Sequence, residues 1–113
     1  MTAAVHDTAQ STAEPIELLR TMLEEQFAVH TARLKQLTVY ARLPRHAGYD
    51  THTLTVLAAS ARQRIAETAL ALRRMSEGTY GVCEDCHRPI PLGRLRAVPH
   101  AAQCTLCERR RPA

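Results

Sequence analysis

Residues 78–107 read GTYGVCEDCHRPIPLGRLRAVPHAAQCTLC and contain Cys83, Cys86, Cys104 and Cys107, all four cysteines of the chain. The pattern is Cys-x2-Cys, 17 intervening residues, Cys-x2-Cys. A Cys-x2-Cys turn aims two sulfurs at one point, about 2.3 Å from a shared ion, and two such turns complete a tetrahedron that d10 zinc accepts. Thiolates favour zinc over hard cations, and the interval is that of a zinc site. The spacing therefore predicts one structural zinc held by Cys83, Cys86, Cys104 and Cys107. Four thiolates leave no open position for water, which argues against a catalytic metal. A thioredoxin-like redox pair would need a single Cys-x2-Cys beside a strand-helix unit, and no such pattern surrounds these residues. Asp85 and His87 lie at the first knuckle and read as knuckle residues rather than ligands. The apolar residues of this segment are Tyr80, Val82, Ile90, Leu92, Leu95, Val98 and Leu106. So small a core cannot offset chain entropy alone, so metal binding should supply much of its folding energy.

Upstream of the finger the pattern is helical. Leu54, Ala58, Ala61, Ile65, Thr68, Leu72 and Met75 recur in steps of 4 and 3, a heptad seam that Gly78 should end. Asp50 or Thr51 can cap this helix. A preceding stripe runs through Leu19, Leu23, Phe27, Leu34, Leu37 and Ala41, with His30 upon it as a tolerated seam histidine. Pro15 suits the first turn of that helix, and Pro44 should stop it near Leu43. Two long helices with a short turn predict an antiparallel hairpin.

The expected fold class is therefore mostly α: a long antiparallel two-helix coiled-coil hairpin, a small four-cysteine zinc finger and a C-terminal helical turn. The expected divisions are a disordered arm over 1–14, a hairpin over 15–78 with its tip at 43–51, and a finger with a basic tail over 79–113. One Phe, three Tyr and no Trp agree with a thin helical body rather than a thick core. Neither internal repeats nor low-complexity segments interrupt it.

Charge is distributed unevenly. Residues 1–30 carry −4, residues 31–87 carry +3 and residues 88–113 carry +5. A basic tail predicts an acidic or polyanionic partner, or simply a well-solvated surface. No apolar run approaches the roughly 20 residues a membrane span needs, and Met1 to Ala13 lacks the features of a signal peptide. A cytoplasmic protein without membrane association is expected, and in a reducing compartment paired cysteines mean metal more often than disulfide.

The run from Gly78 through Tyr80, Gly81, Cys83 and Cys86, then Ile90, Arg94, Leu95, Ala97, Pro99, Ala101, Cys104 and Cys107, resembles the finger of the DksA/TraR family of bacterial RNA polymerase regulators. The hairpin before it agrees in architecture with the larger members. The resemblance implies a non-enzymatic transcription regulator that inserts the hairpin into the polymerase secondary channel while the finger and C-terminal helix hold the rim. It implies no sequence-specific DNA contact, and some members work with ppGpp. On this resemblance and on charge, Arg42, Arg45 and Asp50 at the tip, and Arg94, Arg96, Arg109 and Arg110 in the finger, are the expected partner-binding residues.

Two departures stand out. Well-known members carry Asp-x-x-Asp-x-Ala at the tip, whereas here Asp50 is the only acid among Arg42, Arg45, His46 and His52. Asp50 itself sits where a helix cap is needed. His87 stands where the family usually has Gly, and histidine tolerates the left-handed backbone a knuckle needs better than β-branched residues do. Two other functions fit the sequence: a nucleic-acid-binding zinc module built on the Arg109–Arg111 run, and a structural coiled coil that forms homo-oligomers through its seam. The first lacks aromatic stacking residues and a recognition helix. An enzyme is not expected, because neither a nucleophile–base pair nor an open metal site is visible.

Overall fold

In the computed structural model, the backbone is described over residues 2–112 and the side chains over residues 15–112. Helix α1 is assigned over Thr2–Arg42, α2 over Thr51–Glu77, α3 over Leu92–Ala97 and α4 over Thr105–Arg110, with a short turn at His46–Gly48 between the long helices. Met1 lies outside the described residues, and α1 as assigned takes in the rest of the arm expected over 1–14 and has Pro15 inside it rather than in its first turn. The two long helices pack against each other along an elongated body of 66 × 33 × 22 Å. No helix among the described residues is long and apolar enough to cross a membrane.

The ends of the hairpin follow from local chemistry. Helix α1 stops at Arg42, two residues before Pro44, whose ring disfavours helical geometry just ahead of it. Asp50 caps α2, its Oδ1 accepting from the Thr53 N–H at 2.6 Å. Gly78 closes α2 in the left-handed region, φ 79°, where a side chain would be strained.

The seam on α2 is the expected one through Thr68, after which Ala71, not among the expected positions, is buried more deeply than Leu72. Leu54, Ala61 and Thr68 are buried, and Ala58, Ile65, Leu72 and Met75 are half-buried. Thr68 is fully enclosed, and its hydroxyl donates to the Arg64 and Ile65 carbonyls at 2.8 and 3.1 Å, so no polar atom is stranded. On α1 the stripe differs from expectation. Leu19, Leu23 and Leu37 are buried and His30 and Leu34 half-buried, but Phe27 and Ala41 are exposed while Gln26 and Tyr40 take half-buried places. The cause is the 3.5-residue repeat of a packed helix pair: after Leu23 it reaches Gln26 and His30, which leaves Phe27 beside the seam.

The finger adds one antiparallel bridge, Val82 to Pro89, with the Ile90 N–H donating to the Gly81 carbonyl at 2.7 Å. Its core is not confined to the finger. Leu19 from α1 joins Cys83, Ile90, Leu95, Ala101 and Cys107 in one buried cluster, and Met22 and Met75 pack against it. Val82, Leu92 and Leu106 are exposed instead. The hairpin thus lends apolar surface to a finger that has too little of its own.

Candidate metal centre

The Sγ atoms of Cys83, Cys86, Cys104 and Cys107 all lie within 4.8 Å of one another. Cys86 and Cys104 Sγ are 3.8 Å apart. That matches the edge of a tetrahedron with metal–sulfur bonds of about 2.3 Å. None of the four is in a disulfide. Two knuckles create this geometry. In the first, the Cys83 N–H donates to the Arg88 carbonyl and the His87 N–H to the Cys83 carbonyl, both at 2.9 Å, folding the chain around Cys83 and Cys86. His87 takes φ 61°, the left-handed turn expected of it, and is exposed. In the second, Cys104 caps α4 and its sulfur accepts from the Cys107 N–H at 3.5 Å.

Those backbone donors shape the thiols. The Cys86 N–H, aided by those of Cys104 and Asp85, holds the Cys83 thiol down to about 6 against its burial. The Cys107 N–H lowers Cys104 likewise. Cys107 is pushed up to about 12, first by its hydrogen bond to the Cys104 sulfur and then by burial. Four sulfurs this close cannot all ionise without a cation between them, and the site is built for one. The four cysteines fit zinc, which would close the shell and hold the two knuckles together. Among the described residues they are the metal-binding cluster, and Asp85 and His87 stay outside it.

The expected partner-binding residues are not gathered in one place. Arg42 and Arg45 are exposed at the hairpin tip, where Asp50 is engaged as a cap. At the other end Arg96, Arg109 and Arg110 are exposed, whereas Arg94 is half-buried and its Nε donates to the Gln103 carbonyl at 2.9 Å.

Arg94 belongs to a joint that sequence reasoning missed. Arg74, in the last turn of α2, pairs with Glu84 between the first two cysteines. Glu84 also accepts from Gln103 Nε2 at 2.8 Å, and its N–H donates to the Ala102 carbonyl at 2.9 Å. A second tie lies nearby. His100 Nε2 sits 3.1 Å from Glu67 and 2.9 Å from Arg64, both on α2. The Tyr80 hydroxyl donates to the Pro99 carbonyl at 2.8 Å, and burial raises that phenol to about 12. Only the Arg64–Glu67 spacing of three residues carried any sequence signal.

The fold and site define a class: a helical hairpin bearing a closed tetrathiolate finger. Residues 78–113 match the prokaryotic dksA/traR C4-type zinc finger. That finger belongs to the DksA/TraR C4 zinc-finger family. The chain is 36% identical over 78 residues, 67% of this chain and 55% of the other, to the RNA polymerase-binding transcription factor DksA of Caulobacter vibrioides. It is 50% identical over 40 residues, 35% of this chain and 24% of the other, to general stress protein 16O of Bacillus subtilis. The chain thus spans between about a quarter and just over half the length of these curated relatives. Transcription factor DksA2 of Pseudomonas aeruginosa has the same fold, with TM-score 0.71 over 86% of this chain and 82% of the other, at 24% identity.

Proposed function

We propose that this chain is a non-enzymatic transcription regulator that binds RNA polymerase. The observation that carries this is the family finger at residues 78–113, joined to a hairpin in a chain 36% identical to a protein named for polymerase binding. An elongated body 66 Å long, with its finger at the opposite end from the hairpin tip, suits insertion into the polymerase secondary channel while the finger rests on the rim. Exposed Arg96, Arg109 and Arg110 supply the cationic rim contacts, and Arg42 and Arg45 make the tip basic. The acidic-tip chemistry of well-known members has no counterpart, since Asp50 is spent on the Thr53 N–H. The chain accordingly acts as an occluder or a differently tuned regulator.

The test is a pull-down of purified core polymerase, followed by transcription at a promoter with a short-lived open complex. Wild type should bind and alter transcript yield. Arg42/Arg45→Ala should weaken the effect. Asp50→Ala should leave it intact apart from a cap loss of about 1 kcal/mol in stability. Absence of polymerase binding would overturn the reading. Loss of regulation in Asp50→Ala with binding and helix content preserved would overturn the basic-tip part alone.

A further inference from the structure

The distal half of the hairpin is cationic, although Arg64 at its inner end is paired with Glu67. Between Glu25 and Glu67 the only acid is Asp50, against Arg33, Lys35, Arg42, Arg45, Arg62 and Arg64. Asp50 offsets one of these charges from its fixed place as the cap of α2.

On this half an apolar groove of about 310 Å³ opens between the two helices just short of the tip. Leu37 and Leu54, both buried, form its floor, Ala41 and Ala58 line its walls, and Thr38, Thr51 and Thr55 add hydroxyl groups to an otherwise apolar lining. The groove is open because the α2 seam position Ala58 is small and the neighbouring α1 residue, Ala41, lies beside the seam and fills little of the space. His46 and Arg62 stand among its lining residues, so the apolar space has a basic rim. Arg62 makes no ion pair among the described residues.

The turn that carries His46 is not a relaxed loop. His46, Ala47 and Gly48 adopt φ of 51°, 52° and 88° in succession. A left-handed conformation costs about 1–2 kcal/mol for a residue with a Cβ, and such strain persists only where the surroundings impose it. Here Tyr40 stacks on Tyr49 across the turn, ring centroids 5.9 Å apart. The Gly48 N–H donates to the Arg45 carbonyl at 2.9 Å and the Tyr49 N–H to the His46 carbonyl at 3.0 Å. The knob is preorganised, which lowers the ordering cost of docking.

We propose that this groove is a docking pocket for an apolar side chain flanked by carboxylates on an acidic protein surface, with Arg62 and His46 pairing to the carboxylates at its rim. The inference rests on the polymerase-regulator reading and names the kind of polymerase surface the hairpin meets. Charge complementarity selects an acidic partner. The apolar floor selects a protein over a nucleic acid, since a phosphate backbone offers nothing to fill it. Tyr40 and Tyr49, which could have served as base-stacking platforms, stack on one another instead.

The experiment measures binding of the full zinc-loaded chain to purified core RNA polymerase at low and high salt. Ala58→Leu fills the groove from its wall without changing charge, and Arg62→Glu reverses the rim. Arg73→Glu makes the same charge change at the finger end of α2, on an exposed residue whose partner is Glu77. Ala58→Leu should weaken binding about tenfold at both salts, Arg62→Glu by a similar factor chiefly at low salt, and Arg73→Glu by less than about twofold. Helix content and Tm identify a misfolded variant. If Ala58→Leu misfolds, Thr55→Leu fills the same groove from an exposed lining position. Wild-type binding with unchanged affinity in the folded groove and rim variants would overturn this inference and leave the regulator reading standing. Failure of the wild type to bind would overturn both. Loss of duplex-DNA affinity in Arg62→Glu, with no effect of filling the groove, would replace the protein surface by a nucleic acid.

Discussion

Arg74, in the last turn of α2, is paired with Glu84, which lies between the first two metal-binding cysteines. Glu84 reaches Gln103 next to the second pair as well, so one carboxylate ties the end of the hairpin to both knuckles. The finger is therefore anchored at a set angle to the helices. Arg74 is mostly enclosed, whereas Glu84 is nearly half exposed, so the pair itself contributes about 1 kcal/mol or less. Glu84→Ala should lower Tm by a few degrees, because the Arg74 guanidinium and the Gln103 amide lose their acceptor together. Zinc stoichiometry should stay at one per chain. A calorimetric melt paired with elemental analysis separates the two effects.

Removing the metal should do more than unfold the finger. Leu19 and Met22 of α1 pack in or against the cluster that contains Cys83 and Cys107. Cys104→Ser, or strong chelation, should collapse residues 79–112 and fray the adjoining part of α1, while the distal hairpin stays helical. Circular dichroism should show partial helix loss, and amide exchange should place it near Leu19 rather than near Leu37. Protection near Leu19 equal to that of the zinc form would contradict the shared core.

What could be read in advance follows from the range of the forces involved. Thiolate ligation is decided by spacing within a few residues, so Cys83, Cys86, Cys104 and Cys107 were legible. The α2 seam was legible because its heptads are filled with apolar or small residues. The α1 seam was less so, because Gln26 and His30 occupy its positions and carry no hydrophobic signal, while Phe27 lies one residue away. Leu19 in the finger core and Glu84 at the joint were invisible. Their partners lie far along the chain, at Cys83 for the first and at Gln103 for the second, and nothing local marks such pairings.

The seam assignment has a direct mutational contrast. Leu37 is 2% exposed, Phe27 37%. Leu37→Ala should cost about 2–5 kcal/mol by cavity formation. Phe27→Ala should cost about 1 kcal/mol or less despite removing a larger side chain. Ile65→Ala, at a half-buried site, should fall between them. Chemical denaturation with a fixed m-value gives the ranking, and equal losses at 27 and 37 would refute the heptad register.

The strained turn predicts opposite effects at neighbouring positions. Ala47→Gly should relieve a left-handed Cβ and stabilise the hairpin by up to about 1 kcal/mol, offset in part by the greater freedom of glycine when unfolded. Gly48→Ala introduces the same strain at φ 88° and should destabilise by about 1–2 kcal/mol, although no atom within 4 Å obstructs the added methyl. The sign of the difference between the two variants, read from thermal melts, is the check.

The second tie between finger and hairpin should make stability depend on pH. Burial lowers the pKa of His100 below its ordinary 6.5, and Arg64, His30 and Arg94 act in the same direction against the opposing Glu67. Its Nδ1 is buried without a partner, so a second ring proton would have no acceptor. Below pH 6.5 the unfolded chain then binds a proton that the folded chain resists, and stability rises with pH across that interval. The favourable contribution is complete above the unfolded value and declines as pH falls toward the folded one. Thiolate protonation also weakens the metal site in acid, so the effect must be read as a difference between two proteins at saturating zinc. His100→Gln keeps a polar side chain at this position but does not titrate. The stability difference between wild type and His100→Gln should be constant from about pH 7 to 8 and should shift against the wild type as pH drops from about 6.5 to 5. A difference that stays flat through that lower range would show that His100 takes up its proton as easily in the folded protein as in the unfolded chain.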